Sequence, residues 1–407
     1  MRILFIHQNF PGQFPHLAPA LAAKGHDVRA LHMRRDLPET WQGVRLVSYS
    51  ASRGTAPNIH PWAAETETKI IRGEACFRAC LQLNQQGFTP DVIIAHHGWG
   101  ESLFVKDVWP QAKLGVYCEF YYCLEGADTG FDPEFPIQDE GESCRLRMKN
   151  VNNLMHFEIA DAGISPTRWQ ASTFPERFRN KITVVHDGID TTRLAPNPNV
   201  SLTLNNNIVL TRKDPVITFI NRNLEPYRGY HVFMRALPDL LKRNPKARVL
   251  IIGGNEVSYG AAAPQGTTWK DIFLNEVKDR LDLGRVHFLG RISYDLYMAV
   301  MQLSSVHVYL TYPFVLSWSL LEAMSMECCI VAGNTKPLHE AIDHDKTGRL
   351  VDFFDVQGFA DNVTELLNNP KERCRLGRKA REFAVANYDL KTVCLPRQIE
   401  WVEGLAV

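Results

Sequence analysis

Val216-Ile217-Thr218-Phe219-Ile220-Asn221-Arg222-Asn223-Leu224-Glu225-Pro226-Tyr227-Arg228-Gly229 passes from a short apolar run into a polar loop, and the helical period of His231–Arg243 follows. A buried strand, a loop and a helix in that order form the first half of a parallel βαβ unit. Arg222 and Arg228 stand at the carboxyl end of the strand, where open α/β sheets bind their ligands. Each guanidinium offers a planar fork of donors suited to phosphate oxygens, and Gly229 permits close backbone approach at a helix start. The alternative is that both arginines are solvated, or paired with Glu225.

Outward from this segment the same alternation continues. Val249–Ile252, Val286–Leu289, Val306–Leu310 and Cys329–Ala332 read as further strands, with helices near Trp269–Leu281 and Ser317–Met326. The first half repeats the pattern, with strands at Arg2–His7, Val28–His32, Val44–Tyr49, Asp91–Ala95, Lys113–Glu119, Ala162–Ser165 and Ile182–His186, and a helix at Pro15–Lys24. Two doubly wound sheets are expected, with ligands in a cleft lined by the loops after their strands. The Pro/Asn-rich Leu194–Asn199 and the Asn205–Asn207 run suit an exposed linker. The expected domains are therefore 1–196 and 212–388, with 389–407 a C-terminal helix that could pack back on the N-terminal domain.

A second segment, Tyr312-Pro313-Phe314-Val315-Leu316-Ser317-Trp318-Ser319-Leu320-Leu321-Glu322-Ala323-Met324, runs from a strand into a helix. The free N–H groups at the helix start near Ser317 could receive a diphosphate. Glu322 sits in an otherwise apolar helix and needs donors, which the two hydroxyls of a ribose would supply. A neighbouring backbone group or an arginine is the competing partner.

Composition removes several classes. The 407 residues hold 45 Lys plus Arg against 45 Asp plus Glu, so no bulk field favours nucleic acid or anionic lipid. Any anion must be caught locally. The opening Met1–Ile6 is unlike a signal peptide, and no uncharged apolar stretch approaches the ~18 residues of a membrane span. A cytoplasmic protein is expected, with peripheral contact at the inner membrane compatible. Nine cysteines without a Cys-x-x-Cys pair read as reduced thiols. No Gly-x-Gly-x-x-Gly fingerprint supports a nicotinamide cofactor. Asp343-His344-Asp345 matches a metal-binding Asp-x-Asp pattern, but a chain with arginines for the diphosphate has no need of it.

In order and spacing, these segments resemble the retaining glycosyltransferases of family 4 across essentially the whole chain. His186-Asp187-Gly188-Ile189-Asp190 resembles the strand and turn before the family's linker, and Gly253-Gly254 its small-residue turn. Val286-His287-Phe288-Leu289-Gly290-Arg291-Ile292 resembles its loop beside the nucleotide base, and Glu340, Gly348 and Leu350 its tail. The resemblance implies a GT-B fold of two Rossmann-like domains and transfer of a sugar from a nucleotide diphosphate donor with retention. It implies that Arg222 and Arg228 clamp the diphosphate and stabilise the leaving group, that Glu322 holds the ribose, and that Gly12, Gly229, Arg291, Ile292 and Ser317 belong to the donor site. No metal is then required. The acceptor is a glycan, a lipid-linked sugar or a small molecule.

Two features depart from that family. Phe314 stands where its first glutamate usually touches the transferred sugar, and Arg-x5-Arg-Gly is one residue longer than the usual motif. A subgroup shares both departures. Glu119 occupies the place of the family's histidine after the fifth strand, where a carboxylate could stabilise a cationic sugar or orient an acceptor hydroxyl. His96, His97 and Trp99 follow another strand and are candidate acceptor-side residues. The adjacent histidines should point to opposite sides of a strand, which disfavours a shared metal. Rival readings are a nucleotide-sugar epimerase on the same fold and a non-catalytic partner subunit that binds nucleotide sugar or glycan.

Overall fold

The computed structural model describes residues 1–204 and 207–406; Asn205 and Asn206, from the expected linker, lie outside the described residues. The chain divides into two compact units, Met1–Gly188 with Leu390–Val407, and Ile189–Asp389.

The first unit is built on eight strands: β1 Arg2–Ile6, β2 Asp27–His32, β3 Thr40–Trp41, β4 Val44–Ser48, β5 Val92–His96, β6 Lys113–Tyr117, β7 Ala162–Ser165 and β8 Ile182–Val184. They lie in the order β3-β4-β2-β1-β5-β6-β7-β8. All neighbours run parallel except the short β3 against β4. The apolar runs are continuous because alternate residues feed two cores. Ile3, Phe5, Val92 and Ile94 enter one cluster, while Leu4, Ile6, Ile93 and Ala95 enter the other. The helix Ala64–Gln85 brings Cys76, Ala79, Cys80 and Leu83 to the second cluster. The C-terminal helix Leu395–Leu405 brings Val402 and Trp401 to the first.

The second unit opens with an antiparallel hairpin, β9 Ser201–Leu204 and β10 Ile208–Thr211. Six parallel strands follow: β11 Val216–Asn223, β12 Arg248–Gly254, β13 Val286–Gly290, β14 Val306–Tyr309, β15 Ile330–Gly333 and β16 Arg349–Val351, in the order β13-β12-β11-β14-β15-β16. Each sheet therefore has one point where the winding direction reverses, between β1 and β5 in the first unit and between β11 and β14 in the second. Chains leave the sheet there in opposite directions and open a crevice at the strands' carboxyl ends.

Several boundaries are corrected. The division falls at Gly188 and Ile189, so the stretch 196–212 taken for a linker lies inside the second unit. Leu194, Val200, Leu204 and Leu210 are buried in that unit's core, which ties the stretch down. The helix starting at Trp269 ends at Val277 and continues as a single tighter turn, Lys278–Arg280. Leu390–Leu405 is a wide turn, Leu390–Cys394, followed by the helix proper. All nine cysteines are free thiols.

Candidate active site

In the second unit, β11 loses register with β12 between Ile220 and Asn223, and the chain leaves the sheet through a tight turn, Pro226–Arg228. Gly229 closes this turn at φ 68°, and a side chain there would meet Leu310 Cβ at 2.3 Å. Only glycine fits both the left-handed backbone and the close approach. The turn delivers Arg228 to the reversal point. The residue is only 8% exposed, its Nη1 donates to Thr311 Oγ1 at 2.7 Å, and its Cζ lies 4.9 Å from the centre of the Tyr259 ring. Among the described residues no carboxylate pairs with it, although burying a cation without a counter-ion is costly.

Glu225 was the alternative partner, and it is engaged elsewhere. Its carboxylate accepts from the backbone N–H groups of Ser258 at 3.1 Å, Tyr259 at 3.4 Å and Gly260 at 3.2 Å. That clasp fixes the loop after β12 and sets Tyr259 against Arg228. Arg222 is exposed and has no ion pair among the described residues. Arg222, Arg228, Tyr259, Arg291, Ser317 and Glu322 all line one hollow of about 540 Å³, with Gly290, Ile292 and Trp318 also on its wall.

Glu322 is served by partners the sequence reading did not name. Tyr294 Oη donates to Oε1 at 2.8 Å and Tyr297 Oη to Oε2 at 2.5 Å, both from the helix Tyr294–Leu303. Burial, and after it the Glu322 charge, pushes both phenols well above their ordinary range, so they stay protonated donors. Each carboxylate oxygen retains capacity for a further hydrogen bond. Ser317 Oγ accepts from Ser319 N–H at 3.3 Å and caps the helix Trp318–Ser325, so part of the first turn is already satisfied. Arg291 pairs with Glu256. Phe314 is 5% exposed and packs against Tyr227 and Tyr259, at centroid distances of 5.6 and 5.2 Å. An aromatic wall thus stands at the position of the missing glutamate, with Arg228 over one of its rings.

In the first unit, His7 follows β1 and His96 ends β5, and the two meet edge to face at 5.5 Å, at that sheet's reversal point. Gly12 turns back over His7 at φ 51°, and a Cβ there would strike the imidazole Nε2 at 2.4 Å. His96 Nδ1 accepts from Gly98 N–H at 3.1 Å, which places the proton on Nε2. That Nε2 is buried without a hydrogen bond and faces the Glu119 carboxylate at 3.6 Å. The gap is too long for a direct hydrogen bond. His97 Nδ1 donates to the Tyr117 carbonyl at 2.6 Å, and burial holds this imidazole well below its usual pKa.

The two histidine rings do not point to opposite sides. They stack, with centroids 5.9 Å apart and planes at 10°, because β5 ends at His96 and a tight turn follows. His96, His97, Trp99 and Glu119 line a hollow of about 290 Å³ together with Lys69 and Lys149. The sequence reading missed this second wall. Glu65, Thr68, Lys69 and Arg72 recur at helical spacing along Ala64–Gln85, which was the available signal. The Asp343–Asp345 stretch is engaged internally, with Lys346 on Asp343 at 2.6 Å and Arg349 on Asp345 at 3.0 Å.

Residues 24–194 match the Glycosyl transferase family 4 group, and residues 203–383 match the Glycosyl transferases group 1. Glycogen synthase of Mycobacterium tuberculosis is 24% identical over 97% of this chain and 92% of its own. A GDP-mannose-dependent phosphatidylinositol monomannoside mannosyltransferase of Mycolicibacterium smegmatis is 26% identical over 61% of this chain and 63% of its own. Among solved structures, sucrose-phosphate synthase of Thermosynechococcus elongatus superposes with a TM-score of 0.72 at 18% identity, covering 100% of this chain and 99% of that one. Anabaena HepE, solved in complex with UDP, gives a TM-score of 0.67 at 14% identity over 99% and 100%. No helix among the described residues is long and apolar enough to cross a membrane. With a glycosyltransferase domain matched in each half and Rossmann-like sheets beneath both, the chain belongs to the GT-B glycosyltransferases of family 4, enzymes that use nucleotide sugars.

Proposed function

We propose that this enzyme binds the diphosphate of a uridine or guanosine diphosphate sugar on Arg222 and Arg228 without a metal ion. It then transfers the sugar, with net retention, to an acceptor hydroxyl held in the hollow of the first unit. The observation that carries this reading is Arg228: a buried arginine with no carboxylate partner among the described residues, pinned by Thr311 at the reversal point of a sheet. Charge grows on the β-phosphate as the glycosidic bond breaks, so a fixed guanidinium stabilises the transition state more than the bound donor. Glu322 receives the ribose hydroxyls on oxygens already oriented by Tyr294 and Tyr297. Gly229, with Arg291, Ile292 and Ser317, completes the donor surroundings in the second unit.

On the acceptor side, a hydroxyl set off the 3.6 Å axis between His96 Nε2 and Glu119 would accept from the imidazole and donate to the carboxylate. Glycans, lipid-linked sugars and small molecules all remain candidate acceptors, and a lipid-linked one would bring the protein to a membrane surface. The test is incubation of the full chain with a panel of nucleotide sugars, with and without acceptors, and reading of the new anomeric configuration by NMR coupling constants. Retained configuration in an acceptor-dependent product is expected. A sugar epimerised by donor alone would replace this reading with the epimerase, and an inverted product would remove retention.

A further inference from the structure

The hollow of the first unit has an unusual charge arrangement. Lys69 and Arg72 reach it from the helix Ala64–Gln85, and Lys149 from the end of the helix Glu142–Lys149. The Lys69 side chain is only 13% exposed; its Nζ donates to the Lys149 carbonyl at 3.4 Å and lies 3.7 Å from Glu65. That carboxylate is also 3.8 Å from Arg145, so both pairings are at the limit of an ion pair.

Arg72 and Lys149 have no carboxylate within pairing distance among the described residues. Their charges rest on aromatic faces instead, Arg72 at 5.9 Å from Trp99 and Lys149 at 3.7 Å from Tyr122. Burial pushes both lysine amines down from their ordinary range, and each also feels a neighbouring positive charge, Lys149 at Lys69 and Arg145 at Lys149. The buried His96 Nε2–H adds an unpaired donor to the same wall. On the lining, Glu65 and Glu119 stand against these, while Glu101 acts on Arg72, and Asp128 and Glu142 act on Lys149, from outside it. A neutral polyol could hydrogen-bond to such a wall, but it could not offset its charge.

We propose that this hollow contains an anion subsite, formed by Lys69, Arg72 and Lys149, that reads a phosphate group on the acceptor. The proposal rests on the assignment of the acceptor to this hollow. A phosphate monoester matches the site because it carries up to two negative charges and three acceptor oxygens, which can meet two ammonium groups and a guanidinium fork from different sides. The group could belong to a soluble sugar phosphate or to a lipid headgroup; the recognition chemistry is the same.

The experiment is titration of inorganic phosphate into the full-length chain, followed by calorimetry, for the wild type and for Lys149→Gln, Arg72→Gln and Arg228→Ala. Each of the first two is expected to weaken phosphate about tenfold, the loss of one hydrogen bond to a charged group. Arg228→Ala should remove only phosphate held in the second unit's hollow and leave the binding that depends on Arg72 and Lys149 in place. Lys149→Arg, which keeps the charge, should retain most of the affinity and guards against a variant that merely misfolds. Wild-type affinity in both Lys149→Gln and Arg72→Gln with intact melting transitions, or a loss seen only in Arg228→Ala, would overturn the subsite.

Competition with D-glucose 6-phosphate against D-glucose, and with phosphatidic acid against phosphatidylcholine vesicles, separates the two sources. Competition by either phosphate monoester supports the subsite and names its source, whereas equal competition by D-glucose and D-glucose 6-phosphate overturns it. Nucleotide binding measured in parallel keeps the two readings apart. Phosphate bound without any nucleotide sugar would retain the anion site and remove the donor clamp at Arg222 and Arg228. Nucleotide bound and sugar transferred without phosphate recognition would do the reverse.

Discussion

The two pockets occupy equivalent places, each at the reversal point of a parallel sheet, yet their polar groups are satisfied in opposite ways. In the second unit the protein has already set the machinery. Three backbone N–H groups hold Glu225, two phenols hold Glu322, and Thr311 pins Arg228. In the first unit Arg72 and Lys149 lean on aromatic rings, and among the described residues His96 Nε2 and, outside the hollow's lining, both oxygens of the buried Glu101 have no hydrogen-bond partner. A pocket that is fixed before its ligand arrives suits the part of a substrate where charge develops, because no reorganisation is then needed. A pocket with unmet charge derives more of its order from the ligand.

The sharpest way to break this contrast is at Arg228. Arg228→Ala should lower turnover about a hundredfold or more at saturating donor, the typical loss when one donor to developing charge is removed. Arg228→Lys keeps the charge without the fork and should fall between. Steady-state transfer rates with the full chain check both, and a wild-type rate in Arg228→Ala would remove the arginine from the reaction.

The unsatisfied side of the contrast is tested at Glu101, whose carboxyl is pushed up by burial to about 7. The folded protein keeps this proton after the unfolded chain has lost it. Stability from this group is therefore full below the ordinary carboxylate pKa and is lost as pH rises through about 7. The loss is on the order of 3 kcal/mol. Glu101→Gln should remove that slope and melt higher than wild type at pH 8. Parallel melting curves of the two proteins from pH 5 to 8 would show the slope to lie elsewhere. Buried His7 and His156, held down to about 3 and about 4, act in the opposite direction and cost stability as pH falls below the imidazole range.

A smaller effect is expected at Tyr297. Tyr297→Phe removes one of the two hydroxyls that orient Glu322 and should weaken nucleotide binding several-fold, on the order of 1 kcal/mol. It should also narrow the preference for ribonucleotides over 2′- and 3′-deoxy analogues. Tighter binding by the variant would mean that the phenol competes with the ribose. The smallest effect belongs to Arg243, which is exposed and pairs with Asp239 at 3.0 Å and Asp361 at 2.6 Å. Arg243→Ala should change transfer by less than about twofold and stability by at most about 1 kcal/mol.

The contrast also explains what could be read from the chain. The parallel strands were legible because residues such as Ile3 and Leu4 enter different cores, so the run is apolar throughout. The hollow of the second unit was legible because Arg222, Arg228 and Glu322 lie in two contiguous segments directly after strands of the same sheet. The linker was misplaced because Pro and Asn at its surface mask Leu194 and Val200, which are buried. Lys69 and Arg72 were missed because the core face of their helix is built partly of Gly73, Cys76, Ala79 and Cys80, small residues that give a weak period. The tyrosines on Glu322 could not be inferred either, since their contact depends on how the helix Tyr294–Leu303 packs.

Whether the second unit holds a nucleotide diphosphate by its own cations is decided most directly by calorimetric titration of UDP and GDP into the full chain in EDTA, for wild type and Arg228→Ala. At least one of the two nucleotides should bind the wild type equally well with and without the chelator, and about tenfold or more weakly to the variant. Binding that appears only on adding magnesium, or equal affinity in the two proteins, would contradict the arginine clamp.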